Sequence, residues 1–144
     1  MKRRRSVAMA MAAMAPAAQA APQVPNTIEV TEASIPQLQA SLASGAVTSR
    51  RLVQAYLARI AAYDQTGPAL NSIVTLNSAA LAQADALDKE RASKGPRGPL
   101  HGIPVLVKDN FDTKDMPTSG GTLALATLQP RQDAHQVARL RSAG

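Results

Sequence analysis

The chain has 144 residues, with 16 lysines and arginines against 10 aspartates and glutamates, no cysteine, and only two tyrosines and one phenylalanine as aromatics. That length suits a single domain, and the absence of thiols excludes a disulfide framework, zinc thiolates and a cysteine nucleophile. The positive excess is concentrated at the very start, with no aromatics interleaved, so no nucleic-acid partner is expected.

Residues 1–20 read as a secretory signal peptide. "MKRRR" is a basic lead, "SVAMAMAAMAPAA" a mildly apolar run, and Ala18-Gln19-Ala20 a small-x-small cleavage site. The run is too short to span a bilayer, so no stable membrane anchor is expected after cleavage. Arg3, Arg4 and Arg5 contain a twin arginine, which allows a Tat route beside Sec. Export to the periplasm or the medium is the expectation. Four of the sixteen basic residues (Lys2, Arg3, Arg4 and Arg5) fall in this segment, leaving twelve against ten acids from Ala21 onward.

The mature chain then opens with a Pro-rich lead, "APQVPN". Ser34 is placed to cap a helix that tolerates Pro36 in its first turn. Leu38 and Leu42 share its face, and Gly45 stops it as a C′ residue. Thr48 or Ser49 caps a longer helix, whose stripe is Leu52, Tyr56, Ile60 and Tyr63. "SIVTL", 72–76, is β-branched and short enough to be either a strand or a connection. Ala-rich Ser78 to Ser93 predicts a third helix. "IPVLVK", 103–108, is a continuous apolar run bounded by Gly and Pro signals, which predicts a strand buried on both faces. Asp133 is placed to cap a last helix carrying Val137 and Leu140, with Gly144 at its C′ position. Helix, loop, buried strand, loop, helix is the opening of an α/β domain with most of its sheet absent.

Lys108 ends the apolar run. A lysine at a strand end ordinarily buries its stem and solvates its head. Functional groups in α/β sheets also collect just past the carboxyl ends of strands, and two Gly/Pro-rich loops flank this one. Desolvation there favours the neutral amine, which can serve as a base toward a serine hydroxyl. Asp109 and Asn110 are expected to brace the strand end by hydrogen bonds. His101 and His135 lie in different kinds of segment and are expected as surface or capping side chains, so no metal site is foreseen.

"GPLHGIPVLVKDNFDTKDMPTSGGTLAL" resembles the lysine-bearing block of the amidase signature family. "GAVTSRRLVQAYLARIAAYD", "ALNSIVTLNSAALAQADALD" and "DAHQVARLRSAG" resemble helices around it, and the likeness runs from about residue 27 to 144. It implies a mixed sheet flanked by helices and a Ser–cis-Ser–Lys triad without a cofactor. In that triad a neutral lysine activates the serines, and an acyl-enzyme forms on an amide substrate and is hydrolysed. Lys108 matches the family's catalytic lysine. The family's two serines lie in a Gly-Gly-Ser-Ser-Gly-Gly-type loop that this sequence does not contain. Residues 21–144 are therefore expected to be the N-terminal portion of an amidase domain, inactive alone.

Ser119 in "PTSGGT" lacks the Gly-x-Ser-x-Gly spacing of a nucleophile elbow, and no Ser-x-x-Lys occurs. Ser119 is expected to cap a turn or line the site, and Gly120 and Gly121 to supply backbone freedom near it. Two other readings share these residues. One is the amidase-like component of a glutamine-dependent aminoacyl-tRNA amidotransferase, which the signal peptide opposes. The other is a non-catalytic binding remnant, which an apolar strand with unpaired edges opposes.

Overall fold

The computed structural model describes residues 28–144; the expected signal peptide and the Pro-rich lead lie outside the described residues. Four α-helices follow in order: α1 (Ile35–Ala43), α2 (Ser49–Tyr63), α3 (Ala80–Lys94) and α4 (His135–Ser142), with a short 3-10 turn at Leu123–Leu125 before α4.

The caps explain where the first helices begin. Ser34 precedes α1, and the Gln37 Oε1 accepts from its N–H at 2.8 Å, half of a capping box. Gly45, at φ 73°, takes the left-handed position just past the helix, a conformation a side chain would resist. The Thr48 hydroxyl accepts from the Arg51 N–H at 3.2 Å and starts α2. Asp88 of α3 adds a cap from a distance: its carboxylate accepts from the N–H groups of Ser49 (2.7 Å) and Arg50 (3.1 Å). Two donors that the helix cannot satisfy internally are thereby filled, and α2 is tied to α3.

Val30, Leu38, Leu42, Val47 and Leu52 form the core, with Ile28, Ala33, Ala55, Tyr56 and Ile103 packed against it. Burying each such Leu or Val contributes about 1.5–3 kcal/mol. Of the α2 stripe, Leu52 is fully buried, Tyr56 and Ile60 are half-buried and Tyr63 is exposed, so burial fades toward the C-terminal end of the helix. There Asp64 takes over. Its buried carboxylate accepts from the Ser72 N–H (2.7 Å), the Ser72 hydroxyl (2.8 Å), the Ile73 N–H (3.3 Å) and the Gln65 amide (2.9 Å), fastening the following loop.

Three expectations need correction. Residues 103–107 form no strand: among the described residues no β-ladder occurs, only an isolated bridge between Thr113 and Met116. Val105 is 49% and Leu106 78% exposed, the opposite of burial on two faces. A strand exists through its neighbours, and residues 28–144 provide none on either edge. Of the two forms open to "SIVTL", the structure takes the irregular connection. Asp133, the second correction, does not cap α4. Its carboxylate accepts from the Lys114 N–H at 2.9 Å and pairs with the Arg141 guanidinium at 3.0 Å, leaving α4 without a side-chain cap.

His101 is the third. It is fully buried rather than at the surface. Its Nδ1 accepts from the Arg97 N–H at 3.1 Å, and its Nε2 lies 2.9 Å from the Leu87 carbonyl of α3. A carbonyl only accepts, so the ring proton sits on Nε2. The His101 carbonyl in turn accepts from Gln39 of α1 (3.1 Å) and Arg91 of α3 (2.8 Å). Leu100 donates to the Ala143 carbonyl at the end of α4 (3.2 Å). Three helices thus hold the point from which residues 103–108 leave.

Gly102 closes this seam. A Cβ on it would lie 2.0 Å from the buried Ser49 Oγ, and its φ is 79°, so both space and backbone require glycine.

Candidate active site

Lys108 stands at the end of the apolar run, seven residues beyond the His101 anchor, and its side chain is exposed. The cover over the ammonium group that a buried strand end would give is not supplied by the described residues. The Lys108 carbonyl accepts from the Phe111 N–H at 3.0 Å, which turns the chain immediately after it.

That turn carries Asp109 toward the second Gly-rich loop. The Asp109 carboxylate accepts from the Ser119 N–H at 3.0 Å, from the Ser119 hydroxyl and from the Gly121 N–H at 3.1 Å. The Asp109 main-chain carbonyl accepts from the Gly120 N–H at 3.0 Å. Three successive amides of the loop therefore point at one residue. Gly120 and Gly121 have φ of 59° and 78°, and a Cβ on either would meet open space. Glycine serves here for its backbone alone, because a left-handed pair is what turns consecutive N–H groups inward.

The electrostatics follow from these donors. The Ser119 hydroxyl and then the Ser119 N–H hold the Asp109 carboxyl below the usual carboxylate range; burial opposes them more weakly, and the Gly121 N–H and the Lys108 charge add smaller lowering effects. A carboxylate so stabilised is a poor base. The Ser119 hydroxyl donates a hydrogen bond to it and accepts one from the Gly121 N–H at 3.1 Å, and Ser119 is buried. Ser119 is thus arranged as a joint of the loop, without the activated, accessible oxygen that a nucleophile needs.

The structure therefore holds Ser119, Gly120 and Gly121 against Asp109, the residue that follows Lys108. The sequence predicts Asp109 as a brace, but not its partners ten to twelve residues away. The signal available was an acceptor beside a lysine followed by a Ser-Gly-Gly turn. The N–H groups of Ser119, Gly120 and Gly121 are all engaged by Asp109, so they are not free donors for an oxyanion in this conformation. Thr118 steadies the loop from behind, its N–H donating to the Leu128 carbonyl at 2.9 Å. Arg141 draws Asp115 (2.6 Å) and Asp133 (3.0 Å) together across the base of the loop.

Elsewhere, clefts of about 430 and 480 Å³ lie along the N-terminal segment, α1 and α2, bordered by Ile28, Glu29 and Arg51; neither includes Lys108. Among the described residues no three His, Cys, Asp or Glu side chains gather where a metal ion could be held, and no helix is long and apolar enough to cross a membrane.

Comparison with known proteins gives this geometry its context. The family model described as Amidase matches residues 51–144. A protein of Schizosaccharomyces pombe named as an amidase is 48% identical over 121 residues, which is 83% of this chain and 20% of that protein. A component of the glutamyl-tRNA(Gln) amidotransferase of Salinispora arenicola is 40% identical over 116 residues, 81% of this chain and 23% of the relative. Among solved structures, the native peptide amidase from Stenotrophomonas maltophilia superposes with a TM-score of 0.77 at 47% identity, over 85% of this chain and 24% of that one. The chain thus spans between a fifth and a quarter of the length of these relatives. The match runs through the helical base, the Lys108 segment and the Ser-Gly-Gly loop alike, and the chain belongs to the amidase family.

Proposed function

We propose that this chain is the lysine-bearing portion of an exported amide hydrolase. Lys108 acts as the general base of a Ser–cis-Ser–Lys triad, on the α/β fold of the amidase signature family. In this reading the neutral amine takes a proton from one serine, which takes one from the nucleophilic serine. The nucleophile attacks the amide carbonyl, the amine or ammonia leaves, and water hydrolyses the acyl-enzyme. Neither serine has a counterpart in these 144 residues, so the chain alone lacks the nucleophile. The observation that carries the reading is Lys108 itself: a lysine closing an apolar segment and fixed through its neighbour to a Gly-rich loop. The exposed Val105 and Leu106 leading to it suit a segment that gains sheet neighbours.

The likeness to the Stenotrophomonas peptide amidase supports a small amide substrate, such as a peptide amide. The 40% identity to the Salinispora protein keeps amidotransfer as the second reading. Residues 1–20, read as a signal peptide, favour export and oppose it.

The purified chain should show no turnover of a peptide amide. Joined in frame to the remainder of the Stenotrophomonas enzyme it should hydrolyse that substrate, and Lys108→Ala should remove roughly 10⁴-fold of the rate. Undiminished hydrolysis by the Lys108→Ala chimera would sink the general-base assignment.

A further inference from the structure

We propose that Asp109 is a positioning residue: its carboxylate is the internal anion of the Ser119–Gly121 loop and sets where that loop stands relative to Lys108. The proposal builds on the reading of Lys108 as the base, but its geometry is independent of any reaction. Successive inward N–H groups form a concavity that ordinarily receives an anion from outside. Here the anion is covalently next to Lys108. The Ser119 N–H reaches Oδ1 at 3.0 Å, and the Gly121 N–H and the Ser119 hydroxyl both reach Oδ2. The Gly120 N–H, at 3.0 Å from the Asp109 carbonyl, adds a main-chain tie. Ser119 also accepts from Gly121, so hydroxyl, amides and carboxylate close a ring.

The chemistry of the donors makes the arrangement specific for a carboxylate. All three groups that reach the side chain are donors, and both oxygens are used. An asparagine of the same shape keeps one acceptor for Ser119 but turns an N–H₂ toward the Gly121 N–H, setting donor against donor. Alanine removes both acceptors and leaves a space shaped for a small carboxylate beside loop glycines that border open space.

Amide hydrogen exchange of the 144-residue chain, read residue by residue by NMR, tests this directly. In Asp109→Asn the Gly121 amide should exchange about tenfold faster while Ser119 keeps its protection. In Asp109→Ala both amides should accelerate to that extent, and sodium formate should slow them again, while leaving Asp109→Asn unchanged. In the unsubstituted chain the Gly121 amide shift should follow a carboxyl titration in acid. The carboxyl is lowered, so the ring is complete above the ordinary carboxyl range and lost as pH falls through the lowered value. If Asp109→Ala unfolds, Asp109→Asn decides the matter. Equal acceleration of Ser119, Gly121 and the helix amides in Asp109→Asn overturns the proposal. So does a folded Asp109→Ala whose two loop amides are unchanged or indifferent to formate. No catalytic step enters these measurements, so their failure is distinct from failure of the Lys108 assignment, which the chimera tests.

Discussion

Residues 28–102 and 103–134 are built on opposite principles. The first region buries Val30, Leu38, Leu42, Val47, Leu52 and Ala84, and its loops are tied down by Asp64, Asp88 and His101. In the second, the buried positions among the described residues are Thr113, Thr118 and Ser119, while Leu106 is 78% and Leu123 94% exposed. One region is ordered by apolar contact. The other is ordered by hydrogen bonds and, past Ile103, leaves Val105, Leu106, Leu123, Leu125 and Leu128 exposed. The difference teaches that the base can serve as a foundation from its own contacts, whereas the site segment holds its shape with polar ties and leaves a hydrophobic face without cover.

Three substitutions would break or sharpen that contrast. Leu52→Ala, at a fully buried position, should cost about 2–5 kcal/mol in urea unfolding. Asp88→Ala should cost about 1 kcal/mol by uncapping α2, with faster exchange at the Ser49 and Arg50 amides as its local signature. Leu123→Ser should change stability by no more than about 0.5 kcal/mol and should reduce self-association in light scattering. A cost for Leu123→Ser approaching that of Leu52→Ala would mean that the second region hides a core of its own.

The same contrast marks what could be read from the sequence. Helix starts were legible at Ser34 and, to within one residue, at Thr48 or Ser49, and helix stops at Gly45 and Gly144, because a cap is decided within a few residues. The third helix begins at Ala80 rather than Ser78, a difference of two residues at a fraying end. Asp88 as a cap for α2 was invisible, since it lies 39 residues from Ser49. Asp133 illustrates the reverse: a good local capping residue is claimed by Lys114 and Arg141 instead. His101 looks like a loop residue, and only the convergence of α1, α3 and α4 buries it. Lys108, Ser119, Gly120 and Gly121 were legible as a neighbourhood through motif likeness, but the bond that joins them runs through Asp109 and depends on the turn at Phe111.

The mounting of Lys108 has a mechanical consequence. It lies seven positions beyond His101, a reach of at most about 25 Å. Held only at the histidine, that segment would be a cantilever, and a tilt of roughly 3° at the root would displace the tip by about 1 Å. Misplacement of that size is enough to cost an enzyme about a hundredfold in rate. Asp109 gives the segment a second support one residue past the lysine, and a beam resting at both ends deflects far less than one fixed at a single end. The stiffness of the assembly at Lys108 is therefore set as much by the Ser-Gly-Gly loop it rests on as by the helices from which it springs.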